Sequence, residues 1–268
     1  WYSLGFASVQ PSEFLKPFFA VFAAWLLAAG REENGPPGMT LSALAAALVA
    51  GLLAMQPDFG QAALIVATWG VAYFVAGAPA LLLVGLGAAV LGAGYAAYLN
   101  SAHFASRIDA YLTAEVEPLT QLGYAKDAIT AGGLFGVGVG EGTVKWSLPD
   151  AHTDFIVAVA AEEYGFVLCL PLIVLFGAIV TRAMLRLLRE RDPFCRLAGV
   201  ALAAQFGMQA LVNLGVAIRL VPAKGMTLPM VSYGGSSMLA VGLGLGLLLA
   251  LTRRRPQRHA TDLMGARL

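Results

Sequence analysis

Long apolar runs separated by short polar clusters dominate the pattern of this chain. Most runs approach or reach the roughly 20 residues that a helix needs to cross the hydrocarbon core of a bilayer. The pattern predicts seven spanning helices, at residues 11–29, 40–55, 57–77, 79–99, 154–182, 196–219 and 234–252. The long connection, residues 100–153, is predicted as a large extracytoplasmic loop. We therefore expect an all-α, polytopic helical bundle that forms a single integral membrane domain over residues 1–268.

The composition supports the membrane assignment. Of the 268 residues, 59% are hydrophobic and only 12% are charged, which is more apolar surface than one soluble core needs. The net charge of +1 gives no sign of a nucleic-acid partner. Cys169 falls within a predicted spanning helix and Cys195 ends a basic loop, so no disulfide framework is indicated.

Clusters of arginine predict the orientation, because basic residues near helix ends stay in the cytoplasm. The tail at residues 253–255 and the loop at residues 182–196 are both basic and lie two helices apart, so they agree on the inner face. Counting the predicted spanning helices back from these two segments places four others at the outer face. They are the N-terminal end of the first helix, the turn at 56–58, the loop 100–153 and the segment 220–233.

Four polar clusters share that predicted outer face. They lie at residues 10–13, 56–58, 152–154 and 224–229. Charged groups beside hydrocarbon are costly, and they mark functional sites in membrane proteins. We therefore expect the four clusters to serve one site.

The clusters and their neighbours resemble the FtsW/RodA (SEDS) family along almost the whole chain. Family members have about ten spanning helices, so this chain resembles the last seven, and we expect a fragment whose first three helices precede Trp1. Residues 140–145 resemble the division-type FtsW members more than the elongation-type RodA members. The motifs, in chain order, are Gln10-Pro11-Ser12-Glu13-Phe14-Leu15-Lys16, Gln56-Pro57-Asp58-Phe59-Gly60, Gly136-Val137-Gly138, Leu148-Pro149-Asp150-Ala151-His152-Thr153-Asp154-Phe155, Ala161-Glu162-Glu163-Tyr164-Gly165, Pro222-Ala223-Lys224-Gly225-Met226-Thr227-Leu228-Pro229 and Ser232-Tyr233-Gly234-Gly235-Ser236-Ser237.

The resemblance implies a peptidoglycan glycosyltransferase that polymerises lipid II outside the bacterial inner membrane, at the division septum. It also implies a class B penicillin-binding protein (an FtsI-like transpeptidase) and other division proteins as partners. A RodA-type polymerase, a lipid II flippase and a structural scaffold for a division complex are the alternatives.

Asp154 is the predicted general base. The reaction needs a base for a sugar hydroxyl and positive charge for the diphosphate that links the donor sugar to its polyprenyl chain. Asp154 lies at the start of the fifth predicted helix, where helix-terminal amides favour a charged carboxylate and hydrocarbon opposes it. The family's essential acidic residue is the Asp of the same His-Thr-Asp-Phe motif. The alternative is that Asp154 only caps the helix.

The predicted substrate-binding residues surround this base. Lys16, Lys224 and Arg107 are candidate phosphate ligands, although the last two can also be snorkelling anchors. Glu13 stands three residues before Lys16 on the same helix, so it either orients the lysine or simply neutralises it.

The other substrate-binding candidates are polar residues beside predicted helix ends. His152 and Thr153 adjoin the base, and Asp58 either serves the site or caps the helix that follows it. Glu162 lies two turns along from Asp154 on nearly the same face, where it either tunes the site or pairs with another helix.

No organic cofactor is expected. The glycine-rich segment 136–142 lacks the Gly-Lys-Ser/Thr ending of a nucleotide-binding loop, and the three histidines lack zinc spacing. A divalent cation that bridges carboxylates and diphosphate remains open.

Overall fold

The structure is a computed structural model that describes residues 2–3, 8–112, 120–221 and 225–253. Within these ranges the chain forms nine α-helices, one short 3-10 helix at Val144–Trp146 and a two-stranded antiparallel pair. The elements in order are β1 (Tyr2–Ser3), β2 (Ser8–Val9), α1 (Pro11–Ala29), α2 (Gly38–Met55), α3 (Phe59–Val75), α4 (Ala80–Asn100), α5 (Ala102–Leu112), α6 (Gln121–Gly132), α7 (Ile156–Leu187), α8 (Pro193–Ala217) and α9 (Gly235–Thr252).

The predicted all-α polytopic class is confirmed. Among the described residues six helices, α1, α2, α4, α7, α8 and α9, are long and apolar enough to cross a membrane. The seventh predicted span, α3, is an apolar helix of 17 residues. The connection predicted at 100–153 carries two further helices, α5 and α6.

Helix α8 forms the centre of the bundle. It packs against α1, α3, α7 and α9, and most of its side chains are buried. Small residues along it allow close approach, as at Gly199, where an added Cβ would lie 2.4 Å from the side chain of Leu187. The largest apolar cluster, with Phe19, Trp69 and Leu197 in it, surrounds this contact.

Helix α7 is broken at Gly165, whereas the sequence predicted one continuous helix over 154–182. Gly165 has φ 71° and ψ −172°, a conformation that favours glycine. Residues 133–142, which we name the glycine loop, insert at the break. The backbone N–H groups of Val137 and Gly138 donate to the carbonyls of Glu162 and Glu163 at 2.9 and 3.1 Å.

The glycine loop also receives hydrogen bonds from the far side of the break. The N–H groups of Phe166 and Val167 donate to the carbonyls of Gly133 and Leu134 at 3.0 and 3.1 Å. These bonds satisfy backbone groups that the interrupted helix leaves without partners. The continuous part, residues 166–187, is about 33 Å long at 1.5 Å per residue, so it can cross the bilayer without residues 156–164.

Candidate functional site

The four predicted polar clusters meet at one end of the bundle. Their described residues lie at or near the N-terminal ends of α1, α3, α7 and α9. Hydrogen bonds join the C-terminal half of α8 to α1, to Asp154 and to the segment before α9, and Gln61 of α3 bonds to Glu13 of α1. The shared location that the sequence predicted is therefore present in the structure. Two parts can be distinguished: a buried ion pair on α1 and a turn that carries Asp154.

The ion pair joins Glu13 to Lys16, one turn along α1. Their Oε2 and Nζ atoms lie 2.8 Å apart, and the residues are only 4% and 2% exposed. Lys16 Nζ also donates to Gln209 Oε1 at 3.2 Å, and Gln61 Nε2 donates to Glu13 Oε1 at 2.9 Å. This geometry supports the neutralised pair among the two alternatives, and a contact between Lys16 and a diphosphate stays a prediction.

Two amide side chains on α8 connect the ion pair to the Asp154 region. Gln209 Nε2 donates to the carbonyl of Thr227 at 3.1 Å. One turn further, Asn213 Nδ2 donates to the carbonyls of Asp154 and Met226 at 3.0 and 2.6 Å. Asn213 is 1% exposed, so these bonds form away from water. Helix α8 thus ties the Asp154 segment to the chain that precedes α9.

Asp154 lies in a turn, residues 150–155, that we name the Asp154 turn. Helix α7 begins at Ile156 with Phe155 as its N-cap, so Asp154 precedes the helix instead of starting it as predicted. The N–H groups of Thr153, Asp154 and Phe155 all point to the carbonyl of Asp150. The Asp154 residue is half-buried, and a Cβ added at Gly225 would lie 3.4 Å from its Oδ2. The carboxylate therefore faces the backbone of the segment before α9.

His152 and Thr153 sit on the same turn. His152 is exposed, its ring lies edge-on to Tyr233 with centroids 5.8 Å apart, and its carbonyl accepts from Tyr233 N–H at 2.8 Å. The Thr153 hydroxyl donates to the Asp150 carbonyl at 3.1 Å, and the Thr153 carbonyl accepts from the Ser232 hydroxyl. Both predicted residues therefore accompany Asp154.

Of the remaining predicted residues, Asp58 lies at the N-terminal end of α3, and the side chains of the other two are outside the description. Asp58 is the N-cap of α3, where its carboxylate accepts from the N–H of Gln61 at 3.2 Å, as the capping alternative predicted. Arg107 belongs to α5, and its side chain is outside the described part of the structure. Lys224 falls in the gap between residues 221 and 225 and is likewise not described.

Sequence reasoning missed the amide side chains that hold the site together. These are Gln209 and Asn213, which follow Gln205 at intervals of four residues on an otherwise apolar helix, so the three amides share one face. This spacing of amide residues is the sequence feature from which their role could have been predicted. Gln205 and Gln209 also line a small cavity of about 20 Å³ between α8 and α9, which is enough for one water molecule.

The arrangement places the Asp154 carboxylate at the edge of the bundle. The backbone of its turn is held by hydrogen bonds from α8 and from the segment before α9. Within the described ranges, no group of three His, Cys, Asp or Glu side chains is placed to hold a metal ion. Separately, a carboxylate with the position of Asp154 can accept a proton from a hydroxyl group that comes within hydrogen-bond distance.

Comparison with known proteins identifies the same group of proteins. The sequence profile of the FtsW/RodA/SpoVE family, described as cell cycle proteins, matches residues 1–257. A protein of Caulobacter vibrioides named probable peptidoglycan glycosyltransferase FtsW is 43% identical over 262 residues, covering 98% of this chain and 67% of that relative.

Solved structures agree with the sequence comparison. A chain in the structure of a peptidoglycan synthase complex matches with a TM-score of 0.75 at 34% identity, covering 95% of this chain and 74% of that one. The rod shape determining protein RodA of Thermus thermophilus matches with a TM-score of 0.65 at 31% identity, covering 95% and 70%. With the profile spanning nearly every residue and the helical bundle shared, the chain belongs to the FtsW/RodA/SpoVE family of cell cycle proteins.

Proposed function

We propose that this protein is a peptidoglycan glycosyltransferase that polymerises lipid II into glycan strands on the outer side of the cytoplasmic membrane. Curated relatives at 43%, 35% and 36% identity carry the name probable peptidoglycan glycosyltransferase FtsW. The chain spans about two thirds of their length. Six membrane-length helices and the family membership make it a multi-pass membrane protein.

The observation that carries the proposal is the way the Asp154 turn is held. Three successive carbonyls, those of His152, Thr153 and Asp154, accept hydrogen bonds from Tyr233, Ser232 and Asn213 respectively. The turn is thus fixed through its backbone. A general base needs this kind of fixed position, because proton transfer requires heavy atoms within about 2.6 to 3.2 Å of each other.

The proposed reaction is an inverting transfer. Asp154 takes the proton of an acceptor sugar hydroxyl while that oxygen bonds to the anomeric carbon of the donor. The bond between this carbon and the diphosphate oxygen breaks, and polyprenyl diphosphate leaves with the electron pair. Lys16, Lys224 and Arg107 are the proposed sources of positive charge for the leaving group, and His152 and Thr153 adjoin the acceptor.

A division role is preferred to an elongation role. Relatives at 43% and 35% identity carry the FtsW name, whereas the similarity to a RodA structure, at 31% identity, is the observation that keeps the elongation role as the second candidate. The proposed partner is a class B penicillin-binding protein of the FtsI type, and the proposed site is the inner membrane at the division septum. The similarity to a peptidoglycan synthase complex supports an assembly of this kind.

The test is polymerisation of purified lipid II by the full-length protein and by Asp154→Asn. The substitution preserves size but removes basicity, so glycan synthesis should fall by about 10²- to 10⁴-fold while the protein still folds. Asp150→Asn is the matched control, because Asp150 has φ 54°, a conformation that asparagine tolerates well. Near-normal synthesis by Asp154→Asn would contradict the mechanism, and lipid movement without polymer in the wild type would favour a flippase.

A further inference from the structure

Glu162 is a buried carboxylate that the proposed reaction does not use. It lies in the last turn of α7 before the break and is 1% exposed. Its Oε1 accepts from the N–H of Val144 at 2.8 Å, and its Oε2 accepts from the N–H of Lys145 at 2.9 Å. These two N–H groups begin the short 3-10 helix, so they have no partner within that helix. Both carboxylate oxygens are therefore committed to one segment of backbone.

The fit around this carboxylate is close. An added Cβ at Gly142 would lie 2.9 Å from Glu162 Cδ, so a larger residue here would force the Glu162 carboxyl group to move. The neighbouring Glu163 forms an ion pair with the Lys145 side chain. Together with the bonds from Val137 and Gly138 to the Glu162 and Glu163 carbonyls, these contacts fasten residues 137–145 to the half-helix 156–164.

The fastened segment leads directly to the Asp154 turn. From Lys145 the chain runs through Leu148, which is buried in one cluster with Phe155 and Ala158, and then enters the turn. The half-helix 156–164 therefore holds the connection at two places: where it begins, next to Asp154, and where it ends, at Glu162. A shift at Glu162 would reach Asp154 through residues 146–153, which are anchored by the buried Leu148.

We propose that Glu162 is a positioning residue, which holds the segment 143–153 through the Val144 and Lys145 amides and so fixes Asp154 for proton transfer. The proposal rests on the glycosyltransferase function proposed above. The hydrogen bonds described for the Glu162 carboxylate go to backbone N–H groups, so its removal should lower kcat and leave the KM for lipid II unchanged. A displacement of about 1 Å at a reacting group can cost about 10²-fold in rate.

The chemistry of the contact requires a carboxylate. Glutamine offers one acceptor oxygen, and its NH₂ group would face the second backbone N–H, donor against donor. Glu163→Gln is the matched control, because it changes the adjacent residue in the same way but removes only a side-chain ion pair. The two side chains are 14% exposed, and the backbone hydrogen bonds that hold residues 137–145 remain when their ion pair is lost.

The experiment compares the full-length wild type, Glu162→Gln and Glu163→Gln. The first measurement is the kcat and KM for purified lipid II, and the second is hydrogen exchange of peptides from residues 143–154 and from α8. For Glu162→Gln we expect kcat to fall about 10- to 100-fold, KM to stay within about twofold and exchange to rise in 143–154 only. For Glu163→Gln we expect less than about a threefold change in kcat.

A second variant tests the same contact from the loop side. Gly142→Ala adds a methyl group against the Glu162 carboxyl, so a smaller fall in kcat, about 3- to 10-fold, with the same exchange pattern is expected. Unchanged exchange in 143–154, normal kcat despite raised exchange, or raised exchange in α8 as well would each overturn the positioning role. An inactive wild type would instead contradict the proposed function, and the exchange comparison would still decide whether the contact holds the segment.

Discussion

The two parts of the site are stabilised in different ways. The Glu13–Lys16 pair is held by side chains, since both ionic groups are buried and contact each other and the amides of Gln61 and Gln209. The Asp154 turn is held by its main chain, through the carbonyls of three successive residues. Asp154 itself is half-buried, whereas the ion pair is closed to solvent.

Because the two parts are held differently, substitutions in them should affect stability and reaction rate differently. Asp154→Asn keeps the three hydrogen bonds to the backbone of the turn, so we expect it to lower the reaction rate more than the stability. A change to one member of the buried ion pair should lower the stability strongly, because it leaves an uncompensated charge. Variants in the two parts should therefore differ in which property they lose first.

Lys16→Met should give the largest loss of stability. Breaking a buried pair by removing one partner typically costs about 3 to 5 kcal/mol, and here the Glu13 carboxylate would remain. Thermal unfolding of the purified protein measures the effect. The double variant Glu13→Gln/Lys16→Met should recover most of the lost stability.

The same double variant distinguishes the two interpretations of Lys16. If the lysine only neutralises Glu13, polymerisation of lipid II should recover together with stability. If Lys16 binds the diphosphate, stability should recover while polymerisation stays low. Failure of the double variant to recover stability would contradict the ion-pair account.

Asn213→Leu should have an intermediate effect. The leucine side chain is similar in size but leaves the carbonyls of Asp154 and Met226 without their donor, at about 1 to 3 kcal/mol for a buried unsatisfied group. Because the Asp154 carbonyl is one of the two, kcat should also fall, by about tenfold. The same substitution at Gln205, two turns earlier on the same face, is the control and should leave kcat nearly unchanged. Equal losses at both positions would show that α8 acts only through general packing.

Asp58→Ala should have the smallest effect. Loss of an N-cap costs about 0.5 to 2 kcal/mol, and Asp58→Asn should preserve the cap. The predicted substrate role requires that Asp58→Asn lose polymerisation at normal thermal stability. Normal polymerisation by Asp58→Asn would leave the cap as the whole role of this residue.

The sequence by itself determined the fold class and the common location of the polar clusters. Apolar length predicts a spanning helix from local composition alone, and all seven predicted segments are helical. Asp154, His152 and Thr153 were predicted together because they are neighbours in the chain. Counting the predicted helices from the arginine clusters placed the four polar clusters at one face. In the structure, the described residues of the clusters lie at one end of the bundle, where hydrogen bonds connect them.

Only the tertiary structure decided which polar groups pair and where helix α7 breaks. Lys16 and Gln209 are 193 residues apart in the chain, and Asn213 and the Asp154 carbonyl are 59 apart, so no local pattern records either contact. Residues 154–182 have the composition of a continuous helix. The break at Gly165 exists because a distant glycine loop supplies hydrogen bonds on both sides of it, and such compensation becomes visible only when the chain is folded.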